Sequence, residues 1–379
     1  MKQANSEMIN KIYFVENENP LRNSTGGIMS YLIALSKYLI HKGIECTLIG
    51  TGKDNIEQNV FSNFYSIIKL SNPNNFKFLL SLLIKIPFFK IDKFSIIHSQ
   101  RPDMLVPFFL FKSKRIKTIV TLHGRHNISI KDNKSKWQYL IYIIMQKYSF
   151  KKADHIIAVS KQTMDYYVNL YPFIKDKISV IPTGIDFLTI IPVDFFIAKK
   201  KFGIPLDTKV ILYLGRIDYE KNLTLLIDAY KNVKEKITDL WLIIAGFGAE
   251  EEKLKQKLRI EKIKDVIFIG EIDHSEISAL FSASNVFGFT SLYEGSPIVI
   301  KEALACNLPV VSTDVGDVKE VLADFEGCYI SDYNANHFAE KLLSAIKFKN
   351  NNYREKIIKY NYINIAEETL KIYKRVCAE

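Results

Sequence analysis

The sequence lacks the features that mark secreted and membrane-spanning proteins. Only four of its 379 residues are cysteines, at positions 46, 306, 328 and 377, and their spacing matches no metal-binding pattern. We therefore expect free thiols in a reducing compartment. No stretch reaches the roughly 18 consecutive apolar residues of a membrane-spanning helix. The first ten residues, MKQANSEMIN, contain no apolar run of the kind found in signal peptides. These absences favour a cytoplasmic protein.

The composition is that of a globular protein with an uneven charge. Hydrophobic residues make up 48% and charged residues 25% of the chain, and its length favours two domains. The net charge is +11. Residues 1–190 carry 26 Lys and Arg against 13 Asp and Glu, whereas residues 191–379 carry 26 against 28. The first half therefore has an anionic partner, with membrane phosphate and nucleic acid as candidates, or a basic surface that serves only solubility.

Short apolar runs alternate with helix-like segments along both halves. We predict strands at 11–16, 44–50, 94–99, 117–124, 155–160 and 178–182, and again at 209–215, 240–246, 265–270, 285–290 and 308–313. Near-continuous apolar strands followed by helices are typical of parallel sheets covered on both faces. The pattern predicts an α/β protein with two Rossmann-like, doubly wound domains facing across a cleft. Ligands of such sheets bind at the carboxyl ends of the strands.

The segment between the two halves is irregular and predicts a linker. It reads TGIDFLTIIPVDF and spans 183–195. We place the first domain at 1–187 and the second at 188–354. The tail, from about 355 to 379, is expected to be helical and to pack back on the first domain.

The stretch EGSPIVIKEAL, at 294–304, predicts a helix that begins beside a ligand. Ser296 is a good N-cap, and Pro297 suits the first helical position. The N–H groups of Ile298 and Val299 would then point out of the helix start, which favours an anion such as phosphate.

Two carboxylates accompany this helix start. Glu294 lies in the loop before it, Gly295 lets a ligand approach the backbone, and Glu302 lies about two turns further along. One carboxylate could bind sugar hydroxyls and the other a ribose. The alternative is a helix with one capping and one exposed glutamate.

A second motif, GRIDYEKN at 215–222, directly follows a predicted strand. Arg216 leaves the strand, and Lys221 is expected to start the next helix. Two cations at such a junction suit a diphosphate, because arginine can bind it bidentately and lysine acts as a point charge. The alternative is two surface cations near Asp218 and Glu220.

Taken in order, these motifs resemble those of the retaining glycosyltransferases of family 4, also called glycosyl transferases group 1, which have the GT-B fold. The resemblance includes GRIDYEK, IAGFGAEE and the two glutamates before LACNLPVV. In the first half it includes GGIMSYLIALSKYL, IIHSQRPD, TLHGRH, IIAVS and VIPTGID. It covers most of the chain.

The resemblance implies transfer of a sugar from a nucleotide-diphosphate sugar, bound by the second domain, to an acceptor bound by the first. It implies catalytic roles for His123, Arg216, Lys221 and Glu294. It implies donor-binding roles for Gly27, Gly246, Gly295, Ser296, Pro297, Ile298 and Glu302. Fixed cations and helix N–H groups would stabilise the charge that develops on the leaving diphosphate. We therefore expect no metal and no cofactor, with a mild preference for a uridine donor.

Some positions depart from the family pattern. Gln100 stands where a second histidine is frequent, and Thr183 where asparagine is common. Glu251 occupies the third glycine position of a dinucleotide fingerprint, so we interpret Gly246 and Gly248 as a tight turn near the nucleotide or as a purely structural turn.

The other histidines of the first half carry less information. We interpret His98 as structural and leave His126 unassigned.

Two stretches of the first half suggest contact with a membrane. Residues 75–91 are apolar with three interspersed lysines, and residues 105–117 combine an apolar run with basic residues. Such segments lie in membrane interfaces or form core helices with solvated lysines. With the family resemblance, they predict a lipid-linked or polysaccharide acceptor. They also predict a role in bacterial lipopolysaccharide or capsule synthesis, at the inner face of the plasma membrane.

Other functions fit parts of the pattern. A sugar-nucleotide epimerase or a glycan phosphorylase could use the same fold. A two-lobed, non-catalytic sugar-binding protein is a third candidate, although such proteins are usually exported. Nucleic-acid binding is not expected, because no binding motif accompanies the basic half.

Overall fold

The computed structural model describes residues 9–19, 27–52, 60–69, 74–111, 116–125, 127–128, 130, 135–348 and 352–378. The chain forms two compact units. The first consists of Met1–Thr183 with Tyr362–Glu379, and the second is Gly184–Asn361.

The first unit contains a seven-stranded parallel sheet in the order β3-β2-β1-β4-β5-β6-β7. Its strands are β1 (Lys11–Val15), β2 (Glu45–Thr51), β3 (Asn63–Ile68), β4 (Ser95–Ser99), β5 (Lys117–Leu122), β6 (His155–Ala158) and β7 (Ile178–Val180). Its described α-helices are Gly27–His41, Asn75–Lys85, Val106–Phe111, Lys136–Lys152, Lys161–Leu170 and Tyr362–Ala378, with 3₁₀ turns at Ile86–Phe88, Asp103–Leu105 and Pro172–Lys177.

Strand β1 shows why this sheet is covered on both faces. Ile12 and Phe14 pack into one buried cluster, whereas Tyr13 and Val15 pack into another. Successive strand side chains point to opposite faces, so four apolar residues in a row require an apolar layer on each side. Helices Gly27–His41 and Tyr362–Ala378 contribute to the first cluster, and Asn75–Lys85 contributes to the second.

The second unit repeats the plan with six parallel strands in the order β10-β9-β8-β11-β12-β13. These are β8 (Lys209–Leu214), β9 (Leu240–Ala245), β10 (Val266–Gly270), β11 (Val286–Phe289), β12 (Val310–Thr313) and β13 (Tyr329–Ser331). Its α-helices are Phe195–Lys201, Leu223–Lys234, Glu251–Ile260, Ile277–Ser282, Ile298–Ala305, Val318–Leu322, Ala335–Lys347 and Tyr353–Ile357, with 3₁₀ turns at Tyr219–Lys221, His274–Glu276 and Ile358–Tyr360. Both strand orders are those of a doubly wound Rossmann sheet, which confirms the predicted fold class.

The two strands that the sequence pattern missed, β3 and β13, both lie at sheet edges. Strand β3 reads NFYSII and is largely exposed or half-buried, and β13 has only three residues. Strand β3 contains two polar residues among six and β13 is too short for an apolar run, whereas the other two edge strands, β7 and β10, were predicted.

The structure divides the chain at slightly different places from the predicted boundaries. The linker residues Ile185, Phe187 and Ile190 are buried in the core of the second unit. The N–H of Ile185 donates to the carbonyl of Tyr360 at 2.9 Å, so the two ends of this unit lie side by side. The segment therefore packs as part of the second unit from Gly184 onward, although it forms no helix or strand before Phe195.

The predicted single helical tail is interrupted. Its first part, up to Asn361, belongs to the second unit, and Tyr362–Ala378 packs against Gly27–His41 in the first. Within the described ranges, no helix combines the length and apolar character that crossing a bilayer requires.

Candidate functional site

The turn after β8 carries the two cations predicted to bind a diphosphate, Arg216 and Lys221. Asn222 has a left-handed backbone, with φ 48° and ψ 45°, and helix Leu223–Lys234 begins only after it. Lys221 therefore ends a 3₁₀ turn, and the expectation that it starts the helix was wrong. The left-handed residue turns the chain sharply, which places Lys221 on the loop side of the junction.

Arg216 lies at the start of this turn with its side chain 64% exposed. Its guanidinium contacts Asp218 at 2.6 Å and Glu220 at 2.7 Å. The hydroxyl of Tyr213 donates to the carbonyl of Arg216 at 2.6 Å and so fixes the backbone of the turn. The two nearby carboxylates noted in the sequence are thus direct partners. Because a guanidinium has five N–H donors, these two contacts leave donors for an anionic ligand.

Lys221 connects the two sequence motifs. Its Nζ lies 2.5 Å from Oε1 of Glu294, and both side chains are largely buried, with 15% and 17% exposed. The hydroxyl of Ser291 also donates to Oε1 of Glu294, at 3.0 Å. Two further contacts join the turns: Leu292 N–H donates to Glu220 O at 2.8 Å, and Thr290 Oγ1 donates to Lys221 O at 2.9 Å. The turn after β8 and the turn after β11 therefore form one braced unit.

The position of this unit in the sheet is informative. β8 and β11 are neighbours, and the strand order reverses between them. Ligands of doubly wound sheets bind at the carboxyl ends of the strands at such a reversal.

The helix after Glu294 begins one residue later than expected. Its N-cap is Pro297 and its first residue is Ile298. Ser296, predicted as the cap, instead donates its hydroxyl to Oδ2 of Asp317 at 2.6 Å. This contact engages the Ser296 hydroxyl with a neighbouring turn.

Glu302 lies on the buried part of the same helix. Burial raises the pKa of its carboxyl to about 7. The ring of His274 lies close to it, with Nε2 3.9 Å from Oε1. The described hydrogen bonds and ion pairs do not connect Glu302 directly with the Lys221–Glu294 pair.

Gly246 and Gly248 follow β9 and press against the turn that carries Arg216. A Cβ on Gly246 would lie 1.9 Å from the carbonyl oxygen of Gly215, and one on Gly248 would lie 2.4 Å from that of Ile217. No side chain fits at either position. Close packing of two backbones therefore accounts for both glycines, and it places them next to Arg216.

The remaining predicted residues lie in the first unit. His123 follows β5, and its Nε2 lies 2.7 Å from Oε1 of Gln100, which is fully buried. Its ring also packs edge-on against Tyr31 at 5.3 Å. Gln100 is thus the partner of His123, a role that the sequence analysis missed. Gly27 is the exposed first residue of its helix.

His98 lies in the interior of the first unit. Its ring bridges the hydroxyls of Tyr373, at 2.6 Å, and Thr121, at 2.7 Å. Burial lowers the pKa of His98 to about 3, so the ring is neutral, in keeping with a structural role. His126 lies outside the described residues.

In short, the structure brings Arg216, Lys221, Glu294 and Gly246 together at the carboxyl ends of the central strands of the second sheet. It places His123 and Gly27 in the first unit. Among the residues that the structure describes, no group of three or more His, Cys, Asp or Glu side chains is arranged to hold a metal ion. The chain has two Rossmann-like sheets, and cations lie at the point in the second sheet where the strand order reverses. These features define a two-domain enzyme of the GT-B class.

Comparison with known families gives the particular assignment. Residues 25–187 match the model of Glycosyltransferase Family 4, and residues 194–363 match that of Glycosyl transferases group 1. The chain is a glycosyltransferase of the family 4 type. An epimerase, a phosphorylase and a non-catalytic binding protein are therefore no longer favoured.

Individual relatives support this assignment. The chain is 26% identical to an uncharacterised glycosyltransferase of Methanocaldococcus jannaschii, over 96% of this chain and 98% of that protein. It is also 26% identical to a component of the phosphatidylinositol N-acetylglucosaminyltransferase of Homo sapiens, over 93% and 74% of the two chains. The crystal structure of Anabaena HepE in complex with UDP and glucose has the same fold, with a TM-score of 0.74, 16% identity and coverage of 96% and 98%.

Proposed function

We propose that the protein is a retaining hexosyltransferase that moves a sugar from a nucleotide-diphosphate sugar to a lipid-linked or polysaccharide acceptor, in bacterial cell-surface polysaccharide synthesis. The observation that carries this proposal is the Lys221–Glu294 contact at the strand reversal of the second sheet. It joins the cation expected to neutralise a diphosphate with the carboxylate expected to bind sugar hydroxyls.

The site chemistry follows from charge. When the bond between the sugar carbon and the diphosphate oxygen breaks, its electron pair stays on the diphosphate. Arg216 and Lys221, held at fixed positions by their carboxylate partners, stabilise this charge without having to reorganise. A new bond forms from the acceptor oxygen to the same face of the sugar carbon, and the acceptor proton passes to the leaving phosphate. No protein base is required for that step.

Glu294 has a second task in this scheme. Its Oε1 already accepts from Lys221 and Ser291, which leaves the other carboxylate oxygen for sugar hydroxyls. The lysine is thereby oriented by the same residue that recognises the sugar. The donor base is proposed to be uridine, because HepE binds UDP and glucose with the same fold.

An apolar surface on the first unit supports a membrane-bound acceptor. Ten large apolar side chains on helices Asn75–Lys85, Val106–Phe111 and Lys136–Lys152 and on turn Ile86–Phe88 are exposed. They are Phe76, Leu80, Ile84, Phe88, Leu110, Trp137, Leu140, Ile141, Ile144 and Tyr148. Phe88 is the most exposed, at 89%. The helix Val106–Phe111 contacts both longer helices, so we call these residues together the apolar face.

The charge around the apolar face favours an anionic bilayer as its partner. Lys77, Lys85, Lys136, Lys147 and Lys151 lie on the same helices. Apolar side chains that enter the headgroup region beside lysines that meet lipid phosphate are the two components of interfacial binding. The human relative, which is named for a phosphatidylinositol acceptor, is consistent with a lipid-linked substrate.

Calorimetric titration with UDP, GDP and ADP, with and without Mg²⁺, tests the donor site. We expect wild-type protein to bind one of the three without metal. Arg216→Ala should weaken that binding at least tenfold, because a charge-assisted contact with phosphate typically contributes about 1.5–3 kcal/mol. Lys231→Ala is the matched control, since Lys231 is an exposed cation of the same unit that pairs with Glu261. Binding of none of the three nucleotides by wild type would refute the proposal.

A further inference from the structure

A lysine with no solvent exposure lies beside the proposed donor site. Lys301 is on helix Ile298–Ala305 and is 0% exposed. Its Nζ donates to Oδ2 of Asp317 at 2.8 Å and to Oγ of Ser296 at 2.5 Å, and it lies 5.0 Å above the ring of Tyr360. A buried ammonium group needs such partners, because an unpaired charge in the interior is strongly unfavourable.

The three polar side chains form a closed triangle. Ser296 accepts from Lys301 and donates to Asp317, which also accepts from Lys301 directly. Ser296 belongs to the turn after β11, and Asp317 to the turn after β12. The triangle therefore ties together the turns of two neighbouring strands.

The backbones of these turns are also in direct contact. Gly316 has a left-handed φ of +61°, and a Cβ on it would lie 2.2 Å from the carbonyl oxygen of Gly295. The turn that carries Glu294 and Gly295 thus rests on Gly316, and the charged triangle holds it there.

Stability alone does not explain this arrangement. Oδ1 of Asp317 is buried without a hydrogen-bond partner. A buried ion pair is often no more stabilising than apolar residues of similar volume, because both charges lose their hydration. What the triangle does supply is a fixed position for Ser296 and hence for the turn.

We propose that Lys301, acting through Asp317 and Ser296, is a positioning residue that sets the Glu294–Gly295 turn for the donor sugar. The inference rests on the proposed function, because it assumes that this turn meets the sugar. The diphosphate is assigned mainly to Arg216 and Lys221, which a different turn carries. Loss of the triangle should therefore weaken recognition of the sugar more than recognition of the nucleotide.

The test uses the double substitution Lys301→Met/Asp317→Asn, which removes both charges at nearly constant volume. Lys199→Met is the matched control. Lys199 is also fully buried in the second unit, but its Nζ donates to the carbonyls of Pro205, Leu206 and Thr208. Thermal unfolding shows that each variant is folded. Calorimetry then compares UDP, GDP and ADP with UDP-glucose, GDP-mannose and ADP-glucose. Hydrolysis of the bound nucleotide sugar, with water as the acceptor and the nucleoside diphosphate released, gives kcat and KM.

In the double variant we expect the affinity for the nucleoside diphosphate to fall less than the affinity for the nucleotide sugar, because the described ion pairs of Arg216 do not involve the displaced turn. The affinity for the matching nucleotide sugar, and its kcat/KM, should fall about 10- to 100-fold, since a small misplacement of a contacting group can cost on that order. In the Lys199→Met control, neither the affinity for the nucleotide sugar nor its kcat/KM should fall. A folded double variant with the wild-type ratio of nucleotide-sugar to nucleotide affinity would overturn the positioning role and leave the donor site intact. Absence of nucleotide binding by wild type would instead refute the proposed function and this inference with it.

Should the double variant not fold, Ser296→Ala decides the question. It keeps the Lys301–Asp317 pair and the backbone of the turn but removes the hydroxyl that connects them. We expect a smaller loss in the same direction, larger for the nucleotide sugar than for the nucleoside diphosphate. Wild-type behaviour of a folded Ser296→Ala protein would then overturn the proposal.

Discussion

The two units share one architecture and use their cations differently. In the first unit, exposed lysines lie among exposed apolar side chains on the two helices Asn75–Lys85 and Lys136–Lys152. In the second unit, Arg216, Lys221 and Lys301 each lie within 3 Å of a carboxylate oxygen. The excess of positive charge in residues 1–190 therefore does not indicate where Arg216 and Lys221, the cations of the proposed donor site, lie. Both lie in the electrically balanced half, where cations are fixed by carboxylates rather than spread over a surface.

The largest expected effect comes from disrupting the ion pair between Lys221 and Glu294 in the second unit. Glu294→Ala and Lys221→Ala should each reduce turnover of the nucleotide sugar about 10²–10³-fold, because each removes a preorganised charge contact of the transition state. Steady-state kinetics measures this, with circular dichroism to show that the fold is kept. Lys234→Ala, which removes a cation paired with Asp265 elsewhere in this unit, should have little effect. Near-normal turnover in either site variant would show that the pair is only structural.

A smaller effect concerns the buried carboxyl of Glu302, whose pKa is raised to about 7. Between pH 4.5 and 7 the folded protein holds a proton that the unfolded chain releases. Glu302 therefore costs stability as the pH rises through this window, and the cost remains above pH 7. Glu302→Gln should raise the free energy of unfolding at pH 8 by roughly 1–3 kcal/mol relative to its effect at pH 4.5.

Urea unfolding at the two pH values measures this difference. Glu252→Gln, at a glutamate whose side chain is 81% exposed, serves as the control for the chemical change itself. If Glu302→Gln changes the free energy of unfolding equally at pH 4.5 and pH 8, burial does not raise the pKa of the Glu302 carboxyl.

The apolar face of the first unit should give the smallest effect. Wild-type protein is expected to co-sediment with phosphatidylglycerol-containing vesicles at low salt, and less so at moderate salt, because the lysine contribution is screened. Phe88→Asp/Ile144→Asp should weaken binding about tenfold or more, since two buried apolar side chains are lost. Ile260→Asp, at an exposed position of the second unit, should not. If wild type stays in the supernatant at both salt concentrations, the apolar face does not bind membranes.

Much of the fold was predictable because its central strands are buried on both sides. Runs such as VILYL and LWLIIA are apolar throughout, so the positions of their strands could be read to within a few residues. Strands β3 and β13 could not be read, because β3 mixes polar with apolar residues and β13 has only three residues. The two turns with Arg216, Lys221 and Glu294 were also predictable, since each follows a strand that was found.

The sequence by itself determined two parallel α/β domains and the residue types at the strand ends. Apolar periodicity and turn chemistry are local properties that each segment carries alone. Only the tertiary structure decided the partners: Lys221 with Glu294, 73 residues apart, Gln100 with His123, and Lys301 with Asp317. These contacts depend on strand order and on backbone approach at Gly246 and Gly316, which no local pattern encodes. Lys301 stands in the apolar helix IVIKEALA, and its carboxylate partner lies on the turn after another strand.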